Sequence, residues 1–277
     1  MNNIVVNPAD APSIQKEQLQ KTDSMDSRKI ARSLRSGELT GIYIPVPSTL
    51  EARSLLRSRS AIVKDLSRMK QRIKSLLMFY GIPYPPAFEK SATHWSRRFM
   101  KWLSEEVTFS TSQGKGALSL LVNSASEQRK LLLEATRKIR ELSRTASYEE
   151  PLRLIRAMPG IGFITGMTFL TEIEDISRFD NSDKLAGYIG LTPTSHASGE
   201  KDGKGEMTFR GQAQIKSMLI ESSWFAARID PALSSCFSSL VRRMEPNKAI
   251  TKIARKVLNR AYYVLKYKKE YVCSVVK

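Results

Sequence analysis

The chain is poor in the residues from which small metal and redox sites are made. Its 277 residues include two cysteines, Cys236 and Cys273, and two histidines, His94 and His196. Thiols and imidazoles this sparse form no zinc-ligand spacing and no disulfide framework, so a reducing, cytoplasmic setting is expected. No run approaches the roughly 18 apolar residues of a membrane span. The opening Met1-Asn-Asn-Ile-Val-Val-Asn-Pro8 has neither the basic start nor the long apolar stretch of a signal peptide. Negative charge is also scarce: 27 carboxylates stand against 45 lysines and arginines, a net charge of +18. An unneutralised excess of that size suits a polyanion, nucleic acid before an acidic membrane. The basic helices show no aromatic insertion face, so no membrane partner is expected.

The periodicity predicts a mainly α protein. Ile4-Val5-Val6 reads as one strand of a larger sheet, and Thr22-Asp23-Ser24-Met25-Asp26 opens a helix with Ile30, Ala31 and Leu34 as its stripe and Gly37 as its stop. Gly41 to Pro47 reads as an extended connector, because both prolines disfavour helix. From Ser48 to Tyr80, apolar residues from Leu50 to Leu77 recur at three- and four-residue steps. A second such pattern covers Ala117 to Leu142. Two long amphipathic helices around an irregular insert predict an antiparallel hairpin or coiled coil. The insert mixes Trp95, Arg97, Arg98, Phe99, Lys101 and Trp102, either packing anchors or a platform for nucleic acid. The expected organisation is residues 1–47, 48–147 and 148–277.

Four features carry candidate chemistry. Ser198 lies on a glycine-punctuated basic segment with Gly199, Lys201, Lys204, Thr208 and Arg210. There glycines would permit close approach to a phosphodiester and lysines would offset charge built up during attack. An ordinary solvated loop has the same composition. Pro159-Gly160-Ile161-Gly162 separates two helical patterns in the manner of a helix-hairpin-helix element. Gly160, Gly162 and Thr165 then stand where backbone N–H groups can hold a phosphate, or where a helical corner simply turns. The helix predicted from Asn247 to Lys269 carries Lys252, Arg255 and Lys256 among eight cations, with no acid before Glu270. One-signed charge points to phosphate contact rather than to salt bridges. Asp23 and Asp26, three apart at a helix start, suit Mg²⁺ or Mn²⁺, or merely favour the helix N-terminus.

As a set these residues resemble an insertion-sequence transposase of the DEDD type related to the Piv DNA invertase. The resemblance runs through Asn7-Pro8-Ala9, Lys21 to Ala31, Met158 to Thr165, Ile176 to Phe179, Leu185 to Pro193 and Ser198-Gly199. It implies a RuvC-like α/β nuclease domain, of which residues 1–47 would be the C-terminal remnant, then a coiled coil and an α-helical transposase domain. It assigns the last two of four acidic residues to Asp23 and Asp26, with Mg²⁺ or Mn²⁺ as cofactor, and the nucleophile to Ser198. It further implies DNA and a guiding bridge RNA as partners, and a homo-oligomer that brings the acidic site of one subunit to the serine of another. The strands that would supply the first two carboxylates lie outside this sequence, so the expectation is a truncated or split form, inactive alone. The competing readings are a non-catalytic nucleic-acid-binding protein and a structure-selective nuclease.

Overall fold

Thr22 starts helix α1 (Asp23–Arg35) as a side-chain cap, its Oγ1 accepting from the Met25 N–H at 3.3 Å. Asp23 and Asp26 fall in the first turn, where the helix dipole favours negative charge. Gly37, at φ 73°, stops the helix. The computed structural model describes residues 3–7, 22–198, 201–208 and 210–273, with the backbone alone at 195–198 and 201–206. The chain divides into two units, Met1–Ser48 and Thr49–Lys277.

Two expectations for the first unit are corrected. Among the described residues Ile4, Val5 and Val6 form no strand, and the Val5 carbonyl accepts from the Ile42 N–H at 2.8 Å. Helix α1 forms where it was expected, with Ile30 and Leu34 of its apolar stripe exposed. Gly41 to Val46 is extended as predicted, but Pro47 belongs to the next helix, α2 (Pro47–Phe79). Proline lacks only the N–H that the first helical position leaves unbonded anyway.

In the second unit α2 runs antiparallel to α4 (Ser112–Leu142), with α3 (Arg97–Glu105) in the insert between them. Leu66, Ile73 and Leu77 share a core with Leu118, Val122 and Ala125, whereas Leu56 joins Ile139 in the other core. The Arg59 Nε–H donates to Thr136 Oγ1 at 3.1 Å between them. Helix α4 starts five residues before the expected Ala117. Gly114 packs on the Phe109 ring and Lys115 reaches the Val107 carbonyl at 2.8 Å, contacts that outweigh the poor helix propensity of two glycines. The aromatic insert proves to be packing: Phe99 is fully buried, its ring perpendicular to Phe88 at 5.2 Å, and Trp102 is buried beside it.

The larger core belongs to α5 (Glu149–Arg156), α6 (Phe163–Ile173), α7 (Ser182–Ile189), α8 (Ala213–Ile229), α9 (Pro231–Val241) and α10 (Pro246–Tyr267). Helix α10 buries Ile250, Ile253, Val257, Leu258, Tyr262 and Leu265, as the periodicity predicts. Among the described residues the only strands are β1 (Pro193–Ser198) and β2 (Lys201–Met207), an antiparallel ribbon where a loop was expected. The mainly α class holds.

Candidate nucleic-acid interface

The ribbon projects from a root closed by two glycines. Helix α7 ends at Gly190, at φ 86°, whose N–H returns to the Ala186 carbonyl at 2.9 Å while the Leu191 N–H does the same. A Cβ on Gly190 would overlap the Arg210 carbonyl oxygen, and one on Gly211, at φ 112°, would stand 2.6 Å from the Gly190 nitrogen. The outgoing and returning chains therefore touch backbone to backbone. Thr208 N–H to Thr192 O and Gln212 N–H to Ile189 O, both 3.1 Å, stitch the root together.

Along the ribbon Ser198 is the last residue of β1 and pairs with Lys201; Ser195 pairs with Lys204 and His196 with Gly203. Gly199, in the serine-glycine motif, lies outside the described residues. At the root the Thr208 hydroxyl accepts from the Arg210 N–H at 3.1 Å, and the Thr208 carbonyl accepts from Lys216 Nζ at 2.9 Å. The structure thus gathers Ser198, Lys201, Lys204, Thr208 and Arg210 on one ribbon and its root.

Gly160 and Gly162 part company. Gly160, at φ 84°, sits where a Cβ would overlap the Ser222 carbonyl of α8, so glycine there serves helix packing. Gly162 caps α6 in extended conformation with open space around it. An open depression of about 560 Å³ lies along this turn, bordered by Arg156, Gly162, Phe225 and Ile229. Thr165, in the first turn of α6, is half-buried.

The cations of α10, and Lys268 just beyond it, sort by partner, and the expectation of an unlaced basic face is corrected. Arg255 pairs with Asp183 and donates to the Leu191 carbonyl at 3.3 Å, bracing the ribbon root. Arg260 meets the buried Asp230 at 3.0 Å, and Lys268 reaches Glu150 at 4.0 Å. These carboxylates come from other elements, so spacing along α10 could not reveal them. Lys252 and Lys256 are exposed and, among the described residues, have no carboxylate partner.

Burial would raise the Asp230 carboxyl. The Tyr271 hydroxyl, the Leu233 N–H and the Arg260 charge outweigh it and hold Asp230 below the usual carboxylate range. Burial and the bond to Asp230 push the Tyr271 phenol up.

Sequence reasoning missed a polar chain that leads to the ribbon root. Arg57 makes a bidentate pair with the buried Glu172 at 2.8 and 2.9 Å, and Arg53 donates to the Thr171 and Glu172 carbonyls at 2.7 and 2.8 Å. The Tyr188 hydroxyl donates to the same Glu172 carbonyl at 3.2 Å and accepts from Gln212 Nε2 at 3.4 Å. The available signal was one carboxylate in the apolar run Phe163 to Ile173.

Asp23 and Asp26 stand in the first turn of α1, and among the described residues no three or more histidines, cysteines or carboxylates cluster to hold a metal. Two carboxylates suffice only for an ion that keeps waters and takes the rest of its ligands from phosphate, the habit of Mg²⁺.

Two family models match separate stretches of the chain. A family model described as Transposase IS116/IS110/IS902 family matches residues 152–237, and one described as Transposase, of the DEDD type of IS110, matches residues 1–82. The candidate transposase y4qE of Sinorhizobium fredii is 28% identical over 240 residues, covering 87% of this chain and 56% of that protein. The transposase for insertion sequence element IS1111A of Coxiella burnetii is 23% identical over 258 residues, 92% of this chain and 69% of that one. The transposase for insertion sequence element IS1533 of Leptospira borgpetersenii is 27% identical over 183 residues, 65% and 51% respectively. The chain thus spans roughly half to two thirds of the length of these relatives.

Proposed function

For a chain that belongs to the IS110/IS116/IS902 family of transposases, we propose the role of a recombinase subunit that cleaves and rejoins DNA strands at the ends of an insertion sequence. Ser198 is the nucleophile: its hydroxyl attacks a phosphodiester, the leaving strand departs with a free hydroxyl, and reversal of the attack onto a new strand rejoins DNA and frees the serine. The observation that carries this reading is the ribbon, which ends β1 at Ser198 on a root closed by Gly190 and Gly211 and braced by Arg255. Lys201 and Lys204 on the returning strand would offset charge on the phosphate. Gly162, Thr165, Thr208, Arg210, Lys252 and Lys256 are assigned to the DNA backbone.

Asp23 and Asp26 would hold Mg²⁺ or Mn²⁺, which when bound neutralises phosphate charge during transfer. Residues 1–47 are taken as the remnant of a RuvC-like domain, and the turn at Gly160 as helix-hairpin-helix-like. A guide RNA supplies the target sequence, and the working form is a homo-oligomer in the cytoplasm. Among the described residues no helix is long and apolar enough to cross a membrane.

The test is a denaturing-gel search for a covalent protein–DNA adduct on DNA bearing the element ends, with Mg²⁺ and element RNA. The chain is assayed alone and mixed with a full-length relative whose own serine is replaced. An adduct to this chain that disappears in Ser198→Ala and survives in Thr208→Ala is expected. Adduct formation by Ser198→Ala would remove the assignment, and DNA binding with no adduct in any mixture would favour a non-catalytic binding protein.

A further inference from the structure

Helix α10 carries Lys252 and Lys256, assigned above to phosphate, on a face that holds more than those two lysines. Lys248, Lys252 and Lys256 are exposed at four-residue steps, which advance about 6 Å along the axis and drift about 40° around it. Among the described residues none of the three has a carboxylate partner, although Arg255, Arg260 and Lys268 of the same segment all do. Continuing that face, Tyr263 and Tyr267 stand 53% and 59% exposed, with rings stacked at 5.9 Å and only 7° from parallel. A shallow groove of about 280 Å³ runs beside them, bordered by Arg260, Val264, Lys269 and Val272. Among the described residues the carboxylates about this face are Glu245, exposed just before the helix, Glu270, which lines the groove and is paired with Arg153, and the buried Asp230, which is bonded to Arg260 and Tyr271.

Core packing does not account for two exposed parallel phenol rings, and ion pairing does not account for the lysine row. Together they have the two parts of a single-strand site: cations that follow a phosphate backbone and flat aromatic faces on which unpaired bases stack. A duplex offers phosphates but keeps its base faces hidden in the stack.

We propose that this face of α10 binds single-stranded nucleic acid, with phosphates along Lys248, Lys252 and Lys256 and bases on Tyr263 and Tyr267. The inference rests on the nucleic-acid reading above but not on the chemistry of Ser198.

The full chain is titrated by fluorescence anisotropy into labelled, unstructured DNA and RNA strands of about 20 nucleotides and into duplex DNA, a length exceeding one such site. Tyr263→Ala with Tyr267→Ala weakens single-strand binding roughly tenfold or more and leaves duplex binding within about twofold, while phenylalanine at both positions restores the affinity. Glutamine at the three lysines lowers the log–log salt slope for single strands by about 2. The RNA and DNA arms distinguish a ribose-reading site from one that reads only phosphate and base. Wild-type single-strand affinity in the tyrosine variant, or an equal loss on duplex, overturns the proposal. So does a tyrosine-dependent loss of self-association or of binding to phosphatidylserine vesicles with single-strand binding intact. If the tyrosines prove silent while the Ser198 adduct persists, this surface alone falls; a chain that binds no nucleic acid at all defeats the functional reading too.

Discussion

Gly160 and Gly162 look alike in the sequence, two glycines of one turn offered to one phosphate. In the fold Gly160 combines a positive φ with a carbonyl oxygen where its Cβ would be, and Gly162 has extended backbone and free space. Gly160→Ala is therefore expected to cost about 2 kcal/mol or more, and Gly162→Ala about 0.5 kcal/mol or less. Urea unfolding of the two variants checks the contrast, and equal losses would contradict it. Thr208 gives a parallel lesson. Its position near the serine marks it as a phosphate contact, yet its hydroxyl already accepts the Arg210 N–H in a local turn. Glu172 was legible only as an oddity, a carboxylate in an apolar helix, because its arginine partners lie more than a hundred residues away.

Helices α9 and α10 meet through Asp230. It caps α9 through the Leu233 N–H at 2.9 Å and takes Arg260 of α10 as its counter-ion. Its carboxyl is held below the usual range, so the stability it provides is complete above an unfolded pKa of about 4 and is lost as pH falls through the lower folded value. Asp230→Asn keeps a capping oxygen but removes the charge. It should unfold at lower temperature than the parent at pH 7, and the gap should narrow as pH falls below about 4. A gap independent of pH would show that packing, not ionisation, holds the joint. Long amphipathic elements such as α2, α4 and α10 were readable because burial follows the helical period. The ribbon was not, since its glycines and lysines carry no alternating apolar pattern, and backbone pairing is invisible to side-chain periodicity.

Among the described residues the second unit contains two cores, one in the far half of the α2–α4 hairpin with the aromatic insert, the other in the C-terminal helices. They are tied at the near end of the hairpin by Arg53 and Arg57 on α2 gripping the end of α6. The Arg53 Nε stands 3.5 Å from the Glu172 carboxylate, so Glu172→Ala leaves Arg53 buried beside carbonyls without that counter-ion, and a loss of about 3 kcal/mol is expected. Arg57 is more than half exposed, so Arg57→Ala should cost about 1 kcal/mol or less. Chemical denaturation of both measures the difference. Similar losses would mean that the exposed half of the clamp carries the joint.

Composition and local pattern were enough for three properties of this protein: a mainly helical chain, a surface suited to a polyanion, and a serine on a basic glycine-rich segment. Each depends on residues close in the chain or on a simple excess of charge. The fold alone settled which lysines remain uncompensated, which glycine of a pair is held by its neighbour, that the serine ends a strand, and that α10 bares two tyrosines. Those are properties of partners brought from distant elements: Asp183, Asp230 and Glu150 select the neutralised cations among those of α10 and Lys268 just beyond it, and Ser222 selects the indispensable glycine. Periodicity reports which face of a helix is apolar, but packing chooses what stands against each residue of that face.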